Sequence, residues 1–184
     1  MNRNIIQKIV KLTWGNYTRL LKNRPLFTQS ISTGVLMASG DVIAQIKFSS
    51  FEKFDFWRNC KFFAVGTVVL GPWLRSWYLF LNKNVTGTNG IKAMKMVVVD
   101  QICMAPVIIF TLICLFAALD KATIQEIKSS LRRDYISILV NNYKLWPAAQ
   151  MVNFYLIPLQ FRVLYANFVS LIWNTYLSFA INKN

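Results

Sequence analysis

Two aspartates interrupt apolar sequence, Asp41 and Asp100, each with a glutamine close by, Gln45 and Gln101. Further polar side chains break the apolar runs at Arg75, Gln150, Asn153, Arg162, Asn167 and Asn174. Carboxylates and amides in such surroundings are costly unless they find partners, so each is a candidate for work. Two kinds of work fit. As a lining, they would make a water-filled path favouring cations or small hydrophilic solutes. As ties, the amides would join neighbouring helices at about 0.6–2 kcal/mol each, and the acids would pair with Arg75 and Arg162. Residue types alone leave the two readings level.

Other chemistry is narrowed sharply. The 184 residues include no histidine, which excludes Ser-His-Asp catalysis, HExxH zinc chemistry and imidazole proton shuttles. Cys60, Cys103 and Cys114 form no CxxC pair, so neither a zinc site nor a disulfide framework is expected. Neither GxxxxGK[ST] nor GxGxxG occurs. Asp, Tyr, Ser and Cys remain, with no base beside them. No enzyme activity, cofactor or metal is expected.

Those side chains need long apolar elements to hold them, and the composition supplies them. Hydrophobic residues make up 55% and charged residues 15% of the chain, against about 25% charged in a soluble domain. The sequence predicts an all-α integral membrane protein with about four transmembrane helices plus amphipathic surface helices. The net charge of +14 comes from 21 Lys and Arg against 7 Asp and Glu. Most basic residues lie between apolar runs, so the lipid bilayer and its anionic lipids are the expected partners, with no nucleic acid contact. The charge is nearly balanced between the two sides and sets no orientation. Self-association into a homo-oligomer is left open.

In chain order, residues 1–24 read as a basic, acid-free amphipathic helix, either a transit peptide or an interfacial helix retained on the protein. Retention is the reading adopted. Residues 25–184 read as a single transmembrane helix bundle. The first span is Leu26–Ile46, where Ser30, Gly34, Ala38, Asp41 and Gln45 share one helical face. Phe51, Phe54, Phe56 and Trp57 suit a membrane–water belt. The second span, Lys61–Leu81, should kink at Gly71-Pro72. The third, Met94–Leu119, puts Asp100, Met104, Val107, Thr111, Cys114 and Ala118 on one face by helical count, and Pro106 weakens it. Thr123 and Glu126 form a capping box for a helix over Asp120–Lys144. Its apolar face (Ile124, Ile127, Leu131, Tyr135, Ile138) predicts a helix lying on the membrane surface. Trp146–Ile157 reads as a half-helix, separated by Pro158 from a last span, Leu159–Ile181.

The stretch 134–178 has a distinctive wording: Asp134-Tyr135, Asn142-Tyr143, Trp146-Pro147, Gln150, Asn153-Phe154, Pro158, Arg162, Trp173-Asn174 and Tyr176-Leu177-Ser178. It resembles the C-terminal signature of the Mpv-seventeen / peroxisomal-membrane-protein-twenty-two family. The likeness extends to Pro25, Thr28, Gly34, Gly40-Asp41 and Gln45 in the first span and to Gly66, Gly71-Pro72 and Trp77-Tyr78 in the second. Lys95, Asp100-Gln101 and Pro106 continue it in the third.

The resemblance implies a small multi-pass protein of the mitochondrial inner membrane, with the peroxisomal membrane as alternative. It implies a channel-like transport role supporting metabolite balance, membrane potential and mitochondrial DNA maintenance. The alternatives are a non-conducting structural or regulatory membrane protein, or a peroxisomal one linked to reactive-oxygen metabolism.

Overall fold

The computed structural model describes residues 3–48 and 54–181. They form helices throughout, with no strand among the described residues. Helix α1 spans Arg3–Asn23 and α2 spans Pro25–Phe48, with the break at Arg24. Proline lacks an N–H and has φ preset for a first turn, so Pro25 opens α2 where the sequence places a boundary. Phe51, placed by the sequence in a membrane–water belt, lies outside the described residues.

Helix α3 (Phe56–Ala64) continues through a π-helical turn, Val65–Leu70, into α4 (Gly71–Asn84). Likewise α5 (Asn89–Val99) continues through a π turn, Asp100–Met104, into α6 (Ala105–Leu119). Both wide turns end just before a proline. A helical proline clashes with the carbonyl four residues back and cannot donate. The preceding residue reaches back five instead: Gly71 N–H donates to Gly66 O, and Ala105 N–H to Asp100 O. The expected kink at Gly71-Pro72 and the weakness at Pro106 are each absorbed in one such turn.

Helices α5 and α6 form one 31-residue element, Asn89–Leu119. It is the one helix among the described residues long and apolar enough to cross a membrane. The other expected spans are helical over α2, α3–α4 and α8 but do not meet that measure; α2 alone carries Thr28, Gln29, Ser30, Ser32, Thr33, Asp41 and Gln45.

The region after α6 differs from expectation. Helix α7 runs unbroken over Ile124–Leu156, through Pro147, so no separate half-helix begins at Trp146. Its rising residue numbers meet falling ones in the hairpin partner. The Tyr135 hydroxyl donates to Pro106 O and its ring meets Phe110 edge-on, while Asn142 and Tyr143 reach Gln101. Thus α7 lies antiparallel along α6 and α5; on the apolar face expected to lie on a membrane surface, Tyr135 meets α6, Ile127, Leu131 and Ile138 are half-buried, and Ile124 is 72% exposed. Helix α7 stops where Pro158 forces its predecessor Ile157 into extended backbone (φ −89°, ψ 124°). A short 3₁₀ turn, Leu159–Phe161, leads into α8 (Arg162–Ile181).

The capping box at the head of α7 is present. Thr123 N–H donates to Glu126 Oε2 at 2.7 Å, and Glu126 N–H to the Thr123 hydroxyl at 3.3 Å. The bond from the Thr123 backbone, then that from its hydroxyl, hold the Glu126 carboxyl below its ordinary value. A depressed folded pKa means this support is complete above the unfolded value and disappears as pH falls through the folded one. Hydrogen exchange should therefore show the first turn of α7 fraying as pH drops below about 4.5, and Glu126→Gln should flatten that dependence.

The chain falls into two compact units, residues 1–77 with 170–184, and residues 78–169. The boundaries cut through α4 and α8.

Candidate functional site

Asp41 belongs to the first unit and its neighbours come from α3. The sequence-predicted face of α2 is the face that meets the α3–α4 helix, residue by residue. A Cβ on Gly71 would sit 2.5 Å from Ser30 Cα, and one on Gly66 would sit 2.7 Å from Gly34 Cα. Asn59 Nδ2 donates to Ala38 O at 2.8 Å. Backbones approach this closely only where side chains are small, and that closeness brings Asp41 to α3.

The Asp41 side chain is wholly buried, and Arg58 Nε, on a side chain 51% exposed, lies 2.8 Å from its Oδ1. The approach is out of line for a hydrogen bond, so the attraction is charge on charge. Oδ2 accepts from Gln45 Nε2 at 2.7 Å and Asn59 Nδ2 at 3.2 Å. Gln45 also grips the start of α3: its Nε2 donates to Asp55 O at 3.1 Å, and Asp55 N–H donates to its Oε1 at 2.7 Å. Asp55 in turn caps α3 through Arg58 N–H. The Asp41 group therefore ties α2 to α3. Its ion-pair partner is Arg58, where the sequence pointed to Arg75 or Arg162.

Asp100 sits in the second π turn, where the widened backbone presents it and Gln101 side by side, both buried. Its Oδ2 accepts from Gln101 Nε2 and from Gln150 Nε2, each at 2.9 Å. Gln150 also donates to the Tyr78 hydroxyl at 3.2 Å, and its Oε1 accepts from Asn153 Nδ2 at 2.8 Å. Asn142 Nδ2 donates to Gln101 Oε1 at 3.2 Å, and the Tyr143 hydroxyl to Gln101 O at 3.0 Å. A continuous run of polar groups thus joins α4, the π turn and α7 inside the second unit. All of its members except Tyr143 are less than a tenth exposed.

The remaining expected residues divide. Arg75 lies in the first unit, where its Nη1 donates to Gln29 Oε1 at 3.1 Å. Arg162 donates to the carbonyls of Ile157 and Phe154 at the end of α7. Asn167 is buried on α8; the side chain of Asn174 lies outside the described residues. Sequence reasoning missed Arg58, Asn59, Tyr78 and Asn142 as site members. For Arg58 there was a signal, the Asp55–Arg58 spacing at the start of a helix. Tyr78 had none, because an aromatic on an apolar helix reads as core.

The chain can now be set beside known proteins. A model of the Mpv17 / PMP22 family matches residues 117–178. "Mitochondrial inner membrane protein Mpv17" of Danio rerio is 36% identical over 172 residues, 92% of this chain and 97% of the relative. The Homo sapiens protein of that name is 34% identical over 172 residues, 92% and 98% of the two chains. "PXMP2/4 family protein 2" of Dictyostelium discoideum is 35% identical over 173 residues, 90% and 89%. No solved structure matches. The mitochondrial inner membrane, expected from the sequence, is the location that the first two names carry. With this identity sustained over nine-tenths of its length, the chain belongs to the Mpv17 / PMP22 family.

Proposed function

We propose that this chain is a channel-like, multi-pass protein that passes small hydrophilic solutes or ions through the polar run of the second unit. The observation that supports this reading is the buried chain Tyr78–Gln150–Asp100–Gln101–Asn142, built against the one helix among the described residues long and apolar enough to cross a membrane. Amides that can donate and accept, arranged in series around a carboxylate, offer a hydrated solute substitute partners along its way. On this reading α2, α3–α4, α5–α6 and α8 cross the membrane, and α7 returns beside α5–α6. The cellular consequence would be support of metabolite balance, membrane potential and mitochondrial DNA maintenance.

The test is conductance of the folded full-length protein in planar bilayers. Asp100→Asn keeps the shape of the side chain and removes its charge. It is expected to preserve the fold and to lower cation preference or current several-fold. Asp41→Asn, in the α2–α3 tie, is expected to lower stability and leave selectivity alone. Unchanged current and selectivity in Asp100→Asn would favour a non-conducting structural protein instead.

A further inference from the structure

Helix α1 carries a basic stripe along one side. Lys8, Lys11, Gly15, Arg19 and Lys22 recur at spacings of three, four, four and three, which sets them within an arc of about 80°. All five are exposed, and a Cβ on Gly15, at the centre of the stripe, would meet nothing within 4 Å. No ion pair to the four cations occurs among the described residues. No acidic residue precedes Asp41, so the local sequence supplies no counter-charge.

The opposite side of α1 is apolar, and only part of it is seated on protein. Leu21 is buried, and the Ser32 hydroxyl donates to the Tyr17 hydroxyl at 3.4 Å, which folds α1 back toward α2. Trp14 stacks on Tyr17 with ring centroids 5.8 Å apart yet is 51% exposed, and Leu20, beside Leu21, is 54% exposed.

An occupant of this surface has two tasks along one helix: anionic oxygens for the stripe and an apolar medium for Trp14 and Leu20. A nucleic acid supplies the charge without the apolar medium. The surface of a bilayer containing anionic phospholipid supplies both, with phosphates above acyl chains, and tryptophan favours that boundary. A protein of the mitochondrial inner membrane has such a surface always within reach. We infer that α1 lies in the membrane–water boundary and binds anionic phospholipid headgroups through Lys8, Lys11, Arg19 and Lys22. The Tyr17 and Leu21 contacts then carry the effect of lipid charge to α2 and the first unit. This holds whether or not the second unit conducts.

The experiment is hydrogen exchange of the full-length protein, read by mass spectrometry over peptides within α1. It compares nanodiscs of phosphatidylcholine alone with nanodiscs of phosphatidylcholine and phosphatidylglycerol in equal parts. With phosphatidylglycerol, exchange in α1 should slow at least about 10-fold at low salt and return toward the phosphatidylcholine rate in about 1 M potassium chloride, where charges are screened beyond about 3 Å. Lys8→Gln/Lys11→Gln/Arg19→Gln/Lys22→Gln should abolish the slowing. The same number of charges removed elsewhere, by Lys83→Gln/Lys95→Gln/Lys128→Gln/Lys144→Gln at exposed positions, should leave it intact. Equal exchange in the two lipids, or a slowing that salt does not reverse, would mean that protein contacts alone hold α1. A slowing that survives in the stripe variant, or a loss that the control variant shares, would mean that the stripe is not the contact. Each of these results overturns the inference.

Discussion

Gly66→Val should destabilise the first unit by about 3 kcal/mol, the upper range for overpacking a tight contact. A Cβ at this position would lie 2.7 Å from Gly34 Cα and 3.0 Å from both Gly34 N and Met37 Sδ. Two of those atoms are backbone and cannot swing aside. The helices must separate, and separation also stretches the Asn59–Ala38 and Asp41–Arg58 contacts further along the same face. Gly15→Ala is the control. Nothing lies within 4 Å of a Cβ there, in a helix interior, so the substitution should stabilise by about 0.5–1 kcal/mol through helix propensity. Denaturant unfolding in a mild detergent compares the two, and a Gly66→Val protein as stable as the parent would contradict the close approach.

Gln150→Leu should cost about 3 kcal/mol. The replacement is similar in size, so little of the loss comes from a cavity. The amide it removes serves three partners at once: Asp100, Tyr78 and Asn153. A hydrogen bond to a charged group contributes about 1.5–3 kcal/mol, and the groups left behind remain buried. Asp100→Asn in the Gln150→Leu background should recover part of the loss, because a neutral amide tolerates the missing donor better than a carboxylate. A double-mutant cycle measures that coupling, and additive losses would show that Gln150 and Asp100 act independently.

The face of α2 was readable because small and polar residues recur there at ordinary helical spacing, and the same spacing governs packing in the folded chain. The face running on from Asp100 was not readable beyond Met104. Helical count places Val107 next, yet Val107 is 51% exposed while Ala105 and Ile109 are buried. The π turn inserts one residue, so every face after it is rotated relative to the count before it. The amphipathic pattern of Ile127, Leu131 and Tyr135 was legible too, but the contact of Tyr135 with α6 was not, since an apolar stripe is satisfied equally by lipid or by another helix. Partners distant in sequence, such as Arg58 for Asp41, depend on which helices meet, and no local pattern records that.

The length of α7 sets a further condition. Its 33 residues make a rod of roughly 50 Å at 1.5 Å per residue, against about 30 Å of hydrocarbon. Tilting alone would need roughly 50°, beyond the usual range of about 0–40°. On the proposed reading, in which α7 returns through the bilayer beside α5–α6, part of the rod must therefore protrude beyond the hydrocarbon. At its head, Lys128, Arg132 and Arg133 are exposed, while Tyr135 is already level with Pro106 and Phe110 of the hairpin partner. The protruding part would be the α6–α7 tip, where Lys121, Lys128, Arg132 and Arg133 stand beside Asp120, Glu126 and Asp134, a densely charged segment set in the headgroup layer. On that reading a membrane made thicker would draw the tip inward against its own charges, which makes bilayer thickness a variable acting on α7.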